Sequence, residues 1–151
     1  MNITADQTAR RDRMAVLARC SGERLSALWA TLGLQPRHTP LRGPEAGLVM
    51  LRGRVGGTGE PFNVGEATVT RASVKLEDGS VGHAMALGRD HAKARLSAVI
   101  DALCRNAGTA ARIDAELIQP IRRELDQADE ARRQQTAATR VDFFTMVRGE
   151  D

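Results

Sequence analysis

Aromatic side chains are scarce: there is no tyrosine, one tryptophan (Trp29) and three phenylalanines, 3% of 151 residues. A stacking platform of the kind used by single-strand nucleic-acid binders is therefore poorly supplied. Lysine is nearly missing too, Lys75 and Lys93 being the only two among 22 cationic side chains. A net charge of only +3, with Asp and Glu interspersed, argues against a general nucleic-acid binder. Cys20 and Cys104 stand far apart and without metal-type spacing, the pattern of small buried apolar groups rather than of ligands or a disulfide. His38, His83 and His91 are equally scattered, so no metal is expected. No run approaches the roughly 20 apolar residues that span a bilayer. Arg10, Arg11 and Arg13 are not followed by the apolar stretch of a secretion signal. These absences together read as a cytoplasmic protein away from the membrane.

What is present suits one domain over residues 1–151, since 42% hydrophobic residues can build a core. The first third reads as two helices. Thr4 and Gln7 fit a capping box ahead of Met14, Leu17 and Ala18. Ser21 can cap a second helix carrying Leu25, Leu28, Trp29 and Leu32, which Gly33 closes and Pro36 prevents from continuing. The period then changes to two. Leu48 to Val55 reads as a strand, with Val49, Leu51 and Val55 on one face and Arg52 and Arg54 on the other. Thr68 to Glu77 alternates again, with Ala72, Val74 and Leu76 inward. Asp78-Gly79 signals a hairpin into a strand from Val81 to Leu87. A short extended piece at His38 to Arg42 can add an edge strand, where Pro40 is tolerable.

Helical spacing returns after Asp90, a cap for the stripe Leu96, Val99, Ile100 and Leu103, with Asn106 and Gly108 as the stop. Leu117 and Ile118 belong to a turn or helix interrupted at Pro120, where a new helix begins with Ile121, Leu125 and Ala128 as its stripe. The expected class is α+β: an antiparallel sheet of three to four strands flanked by N-terminal and C-terminal helices.

Two segments carry chemistry. Gly56, Gly57 and Gly59 fall within four residues just after a strand and can bring backbone N–H groups, with Thr58, close to an anion. The Gly-Lys-Ser/Thr ending of a phosphate-binding P-loop is missing, and a tightly turned strand connection is the alternative. Arg71 would add a two-pronged contact if its strand lay beside this loop; otherwise it belongs to a solvated strand face. Phe62 in the same segment suggests docking, because an exposed aromatic has no structural return. Glu60 and Glu66 flank the loop and can form an acid/base pair or stand solvated.

The second segment, Arg140 to Asp151, holds two of the three phenylalanines. Arg140, Asp142, Phe143, Phe144, Met146 and Arg148 have the composition of interface anchors. Such a tail, at about 140–151, either docks on a partner or folds back across its own domain. No serine sits in a nucleophile elbow, so a self-sufficient enzyme is not expected.

The stretches GGTGEPFNVGEATVTR (Gly56 to Arg71) and RVDFFTMVRGE (Arg140 to Glu150) resemble the PhnG family, subunits of the carbon–phosphorus lyase core complex. The likeness continues through Leu48-Val49, Asp78-Gly79 and Asp101-Ala102-Leu103. It implies work alongside PhnH, PhnI and PhnJ in phosphonate catabolism. The implied step joins ATP and methylphosphonate into α-D-ribose 1-methylphosphonate 5-triphosphate, releasing adenine. By the same resemblance the nucleosidase chemistry belongs to PhnI, a radical iron–sulfur subunit later cleaves the carbon–phosphorus bond, and this chain binds no cofactor itself. A purely structural scaffold without substrate contact is the alternative.

Overall fold

Ser21 and Gly33 bracket the second helix as their chemistry requires. In the computed structural model, which describes residues 5–139, the Ser21 hydroxyl accepts from the Arg24 amide. Gly33 takes the left-handed conformation, φ 64°, that closes α2 (Gly22–Leu32). Ahead of it runs α1 (Ala5–Arg19). Three antiparallel strands follow in spatial order β1 (His38–Arg54), β2 (Pro61–Leu76) and β3 (Val81–Leu87). The α+β class therefore holds, with three strands among the described residues.

The two extended pieces at 38–42 and 48–55 are in fact one strand. Register shifts between Pro40 and Arg42 and between Arg42 and Glu45 absorb the prolines without ending the pairing with β2. Among the described residues β1 is an edge strand, the place where a proline's missing N–H is tolerated. β2 begins at Pro61 rather than Thr68, so the second half of the glycine-rich segment is strand. At the other hairpin Gly79 has φ 88°, and the Asp78 carboxylate accepts from the Ser80 amide at 2.9 Å.

Asp90 caps α3 (His91–Leu103) through the Lys93 amide. Asn106 was expected to stop this helix. Its side chain instead accepts from the Thr109 amide at 3.1 Å and starts α4 (Ala107–Ile113). The chain next widens into a π-turn, Asp114–Ile118, and continues as α5 (Gln119–Ala138). Pro120 thus sits directly after the π-turn, in the first turn of α5, and the chain stays helical through it. Ile121 is buried and Leu125 half-buried, but Ala128 is exposed because α5 leaves the core beyond that point.

Two apolar clusters hold the molecule together. Leu17, Leu25, Ile100, Ile113, Leu117, Ile118 and Ile121 fill the space between the helices. Ala72, Val74, Leu76 and Ala84 of the sheet meet Ala94, Ala98, Val99 and Ala102 of α3. Alanine on the helix and Gly82 on β3 let the two backbones come unusually close. Trp29 packs half-buried against both clusters.

Arginine has a structural use here. Arg13 bonds Asp114 at 2.8 Å, Arg19 bonds Asp129 at 2.6 Å, and Arg24 forks onto Glu124. Arg112 donates to the Leu32 carbonyl at 2.9 Å. The N-terminal helices are thereby clasped to the C-terminal ones, and the forked contact of Arg24 and the two-partner contact of Arg112, to Glu116 and Leu32, are ones that lysine cannot reproduce.

Candidate functional site

β3 pairs with β2 only over Val69 to Lys75, so β1 and β2 continue beyond it as a two-stranded arm. The arm runs from the Gly47–Val69 pair to the Arg54–Pro61 pair. Eight positions at ~3.3 Å per residue make it about 25 Å long. Exposed apolar side chains crowd it: Leu48, Met50, Leu51, Val55, Phe62 and Val64 all stand in solvent among the described residues. From Val69 toward Leu76, by contrast, alternate β2 residues are buried under α3.

The glycine segment forms the tip. Gly56 at φ 59° and Gly57 at φ 82° take the left-handed conformation, and nothing lies within 4 Å of where a Cβ would stand. Their requirement is conformational. The Val55 carbonyl accepts from both the Thr58 and Gly59 amides, the latter at 2.9 Å. Two donors of the expected anion cradle are thus already engaged. A Cβ on Gly59 would approach the Val55 carbonyl oxygen to 2.8 Å, which explains glycine there. Arg52, Gly53, Arg54, Gly57 and Pro61 line a shallow groove beside the turn, and Arg54 Nη1 donates to the Gly59 carbonyl at 3.0 Å.

Gly56, Gly57, Thr58, Gly59 and Phe62 therefore stand together at the tip, and Arg71 does not join them. It lies ten positions along β2 from Pro61, about 33 Å at strand rise. There Arg71 Nε bonds Glu45 Oε1 at 2.7 Å, and Arg42 bonds the same oxygen at 2.7 Å. Arg42 first, then Arg71, hold the Glu45 carboxyl below the usual carboxylate range. An antiparallel strand carries its later residues away from the turn, so closeness in sequence misleads. The cations beside the turn are Arg52 and Arg54, whose alternation with apolar residues was visible but whose partner strand was not. Glu60 and Glu66 are exposed.

On the sheet face away from α3, Ser73 Oγ and His83 Nδ1 lie 2.8 Å apart across β2 and β3. Such a pair can pass a proton, but no carboxylate bonds the ring among the described residues. Asp101 accepts the His83 backbone amide instead, at 2.9 Å. Without an orienting acid the pair lacks the arrangement of a working nucleophile. The cysteines are buried, and burial pushes the Cys104 thiol up to about 11, so neither behaves as a reactive thiolate.

No helix among the described residues is long and apolar enough to cross a membrane. The tail residues Arg140, Asp142, Phe143, Phe144, Met146 and Arg148 lie outside the described residues.

Comparison with known proteins covers nearly the whole chain. A curated relative from Rhizobium meliloti (strain 1021), alpha-D-ribose 1-methylphosphonate 5-triphosphate synthase subunit PhnG, is 52% identical over 142 residues, 94% of this chain and 90% of its own length. The family model described as phosphonate metabolism protein PhnG matches residues 8–149, the glycine-rich stretch whole and the C-terminal one as far as Gly149, and the chain belongs to the PhnG family.

Proposed function

We propose that this chain is a subunit of the synthase that joins ATP and methylphosphonate into α-D-ribose 1-methylphosphonate 5-triphosphate with release of adenine. The observation that carries the reading is the 52% identity, along almost the full length of both chains, to a protein named as that synthase's subunit. PhnH, PhnI and PhnJ are the proposed partners, and the reaction class is transfer of a ribosyl triphosphate. Such a transfer passes through an oxocarbenium-like state and handles heavily charged substrates. Arginine and backbone donors that position anions suit it better than a nucleophile in this chain. The chain binds no cofactor of its own in this proposal.

A scaffolding role without substrate contact is the second reading. It is favoured by the glycine turn, whose Thr58 and Gly59 amides are committed to the Val55 carbonyl. On either reading the tail anchors the chain to a sister subunit through Phe143 and Phe144, with Arg140, Asp142 and Arg148 as charged rim. Truncating one anchoring phenylalanine at a packed hot spot costs on the order of 2 kcal/mol or more. Each ~1.4 kcal/mol is a tenfold change in affinity. The Phe143→Ala, Phe144→Ala double variant should accordingly lose most of its sister subunits in a pull-down while melting normally. Retained pull-down with a lowered melting temperature would mean that the tail packs on its own domain. No change in either would remove the anchor role.

A further inference from the structure

The arm has two unlike faces. Paired residues of an antiparallel ladder share a face, and neighbours along each strand alternate. Leu48, Met50, Arg52 and Arg54 therefore stand with Thr68, Glu66, Asn63 and Pro61 on one face. That face mixes three charges, Arg52, Arg54 and Glu66, with the exposed apolar side chains of Leu48 and Met50. Val49, Leu51 and Gly53 stand with Ala67, Gly65 and Phe62 on the other. The register shift between Leu51 and Arg52 leaves Val64 as the extra residue of β2. A Cβ built on Gly53 would come within 2.7 Å of Val64 Cγ2, so Val64 belongs to this second face. The second face holds no charged or polar side chain, yet Leu51, Phe62 and Val64 are 45%, 47% and 60% exposed.

The arm's edge shows the same contrast. The lower part of β1 is blunted by Pro40, Pro44 and two register shifts. Residues 46–51 then offer an edge that is unpaired among the described residues and holds no proline or charge. Natural sheets guard long exposed edges with such devices, and an unguarded apolar one invites another chain. A two-stranded ribbon standing alone is only marginally stable in water. Face and edge together mark a surface that is covered in the working assembly.

From these observations we infer that the charge-free face of the arm, Val49, Leu51, Phe62 and Val64, seats in an apolar groove of a sister synthase subunit. The inference rests on the chain being a synthase subunit, as proposed above. Area decides between a sister subunit and a second copy of this chain. One face of the arm, about 25 Å long and ~10 Å wide, offers a footprint of about 250 Å². A stable specific interface needs ~800 Å² from each partner. Two arms stacked face to face fall well short. The face alone supplies about a third of that, so a groove that seats it must take the open edge and the tip as well. The mixed charges of the opposite face, Arg52, Arg54 and Glu66, stay toward solvent or the rim.

The test uses the full chain, free and reconstituted with its sister subunits, carrying Val64→Cys or Met50→Cys. Cys20 and Cys104 are buried and stay silent toward maleimide. Val64→Cys is expected to label about tenfold more slowly in the complex than in the free chain, and Met50→Cys to change less than about twofold. A third variant, Leu51→Asp, should weaken assembly about tenfold or more while the free chain melts as the unsubstituted one does. Equal protection of positions 50 and 64, or protection of neither, overturns the inference. So does a free chain that is already a dimer by light scattering and that Leu51→Asp dissociates. A complex that releases adenine normally but leaves Val64→Cys open overturns the arm's role alone. Protection of Val64→Cys, with adenine release indifferent to the chain, supports the arm and overturns the proposed function.

Discussion

Gly82→Ala is expected to lower the melting temperature by about 10 °C or more, or to leave no folded protein. A Cβ at this position in β3 would fall onto the Ala98 carbonyl oxygen and the Ala102 amide nitrogen, with Ala102 Cβ at 2.9 Å. Backbone atoms of a buried helix cannot rotate away as a side chain can, so α3 would have to lift off the sheet. That movement would open the cluster of Ala72, Val74, Ala84, Ala94, Ala98 and Ala102. Overpacking of a core costs ~1–3 kcal/mol and occasionally more, and the rigid neighbours here put it at the upper end. In a chain of this size ~1 kcal/mol shifts the melting temperature by roughly 2–4 °C. Gly47→Ala is the control: nothing stands within 4 Å of its Cβ position, so it should melt as the parent does to within about 2 °C. Equal melting of the two variants would contradict the close helix–sheet approach.

Removing Arg10 should produce the next largest loss. The Asp101 side chain in α3 is 2% exposed. Its oxygens accept from Arg10 Nε and Nη2, both at 2.8 Å, and from the His83 amide at 2.9 Å. One carboxylate thus ties α1, α3 and β3 together. Breaking a buried pair by deleting one partner costs ~3–5 kcal/mol, because the other charge stays buried. Arg10 is itself 35% exposed, so water can partly replace it, and about 2–3 kcal/mol is expected. Arg10→Lys should recover only part of this, since an ammonium cannot make the forked contact. A urea titration reads the effect as a lower midpoint at unchanged slope. An Arg10→Ala midpoint equal to the parent's would show that the pair adds nothing to stability.

Local chemistry was legible wherever a residue's own side chain or φ decides the outcome. Ser21, Gly33, Gly79 and Asp90 each do what their residue type favours at a cap or turn. Alternation at Ala72, Val74 and Leu76 marked the buried strand face because α3 rewards it. Legibility failed where tertiary pairing overrides local signals. The pieces at 38–42 and 48–55 read as two strands, yet a single long strand passes through Pro40 and Pro44 by shifting register. Asn106 is as good at starting a helix as at ending one, and only the packing of α4 selects the former. The glycine segment looked like an anion cradle because backbone donors cannot be seen as engaged until the Val55 carbonyl is placed. Arg71 looked close to the turn in sequence, and strand rise put it past the base of the arm. Leu48, Met50 and Leu51 were readable as strand and Phe62 and Val64 were not, and the exposure of all five follows from the arm running past the α3 residues that bury the rest of the sheet.

The central claim, that this chain takes part in the ribosyl-triphosphate transfer, is tested most directly by adenine release. ATP and methylphosphonate are incubated with the sister subunits purified with and without this chain, and free adenine is followed by chromatography. The account predicts rapid release with the chain present, loss of most of it on omission, and recovery when the purified chain is added back. Full adenine release in its absence would contradict the account.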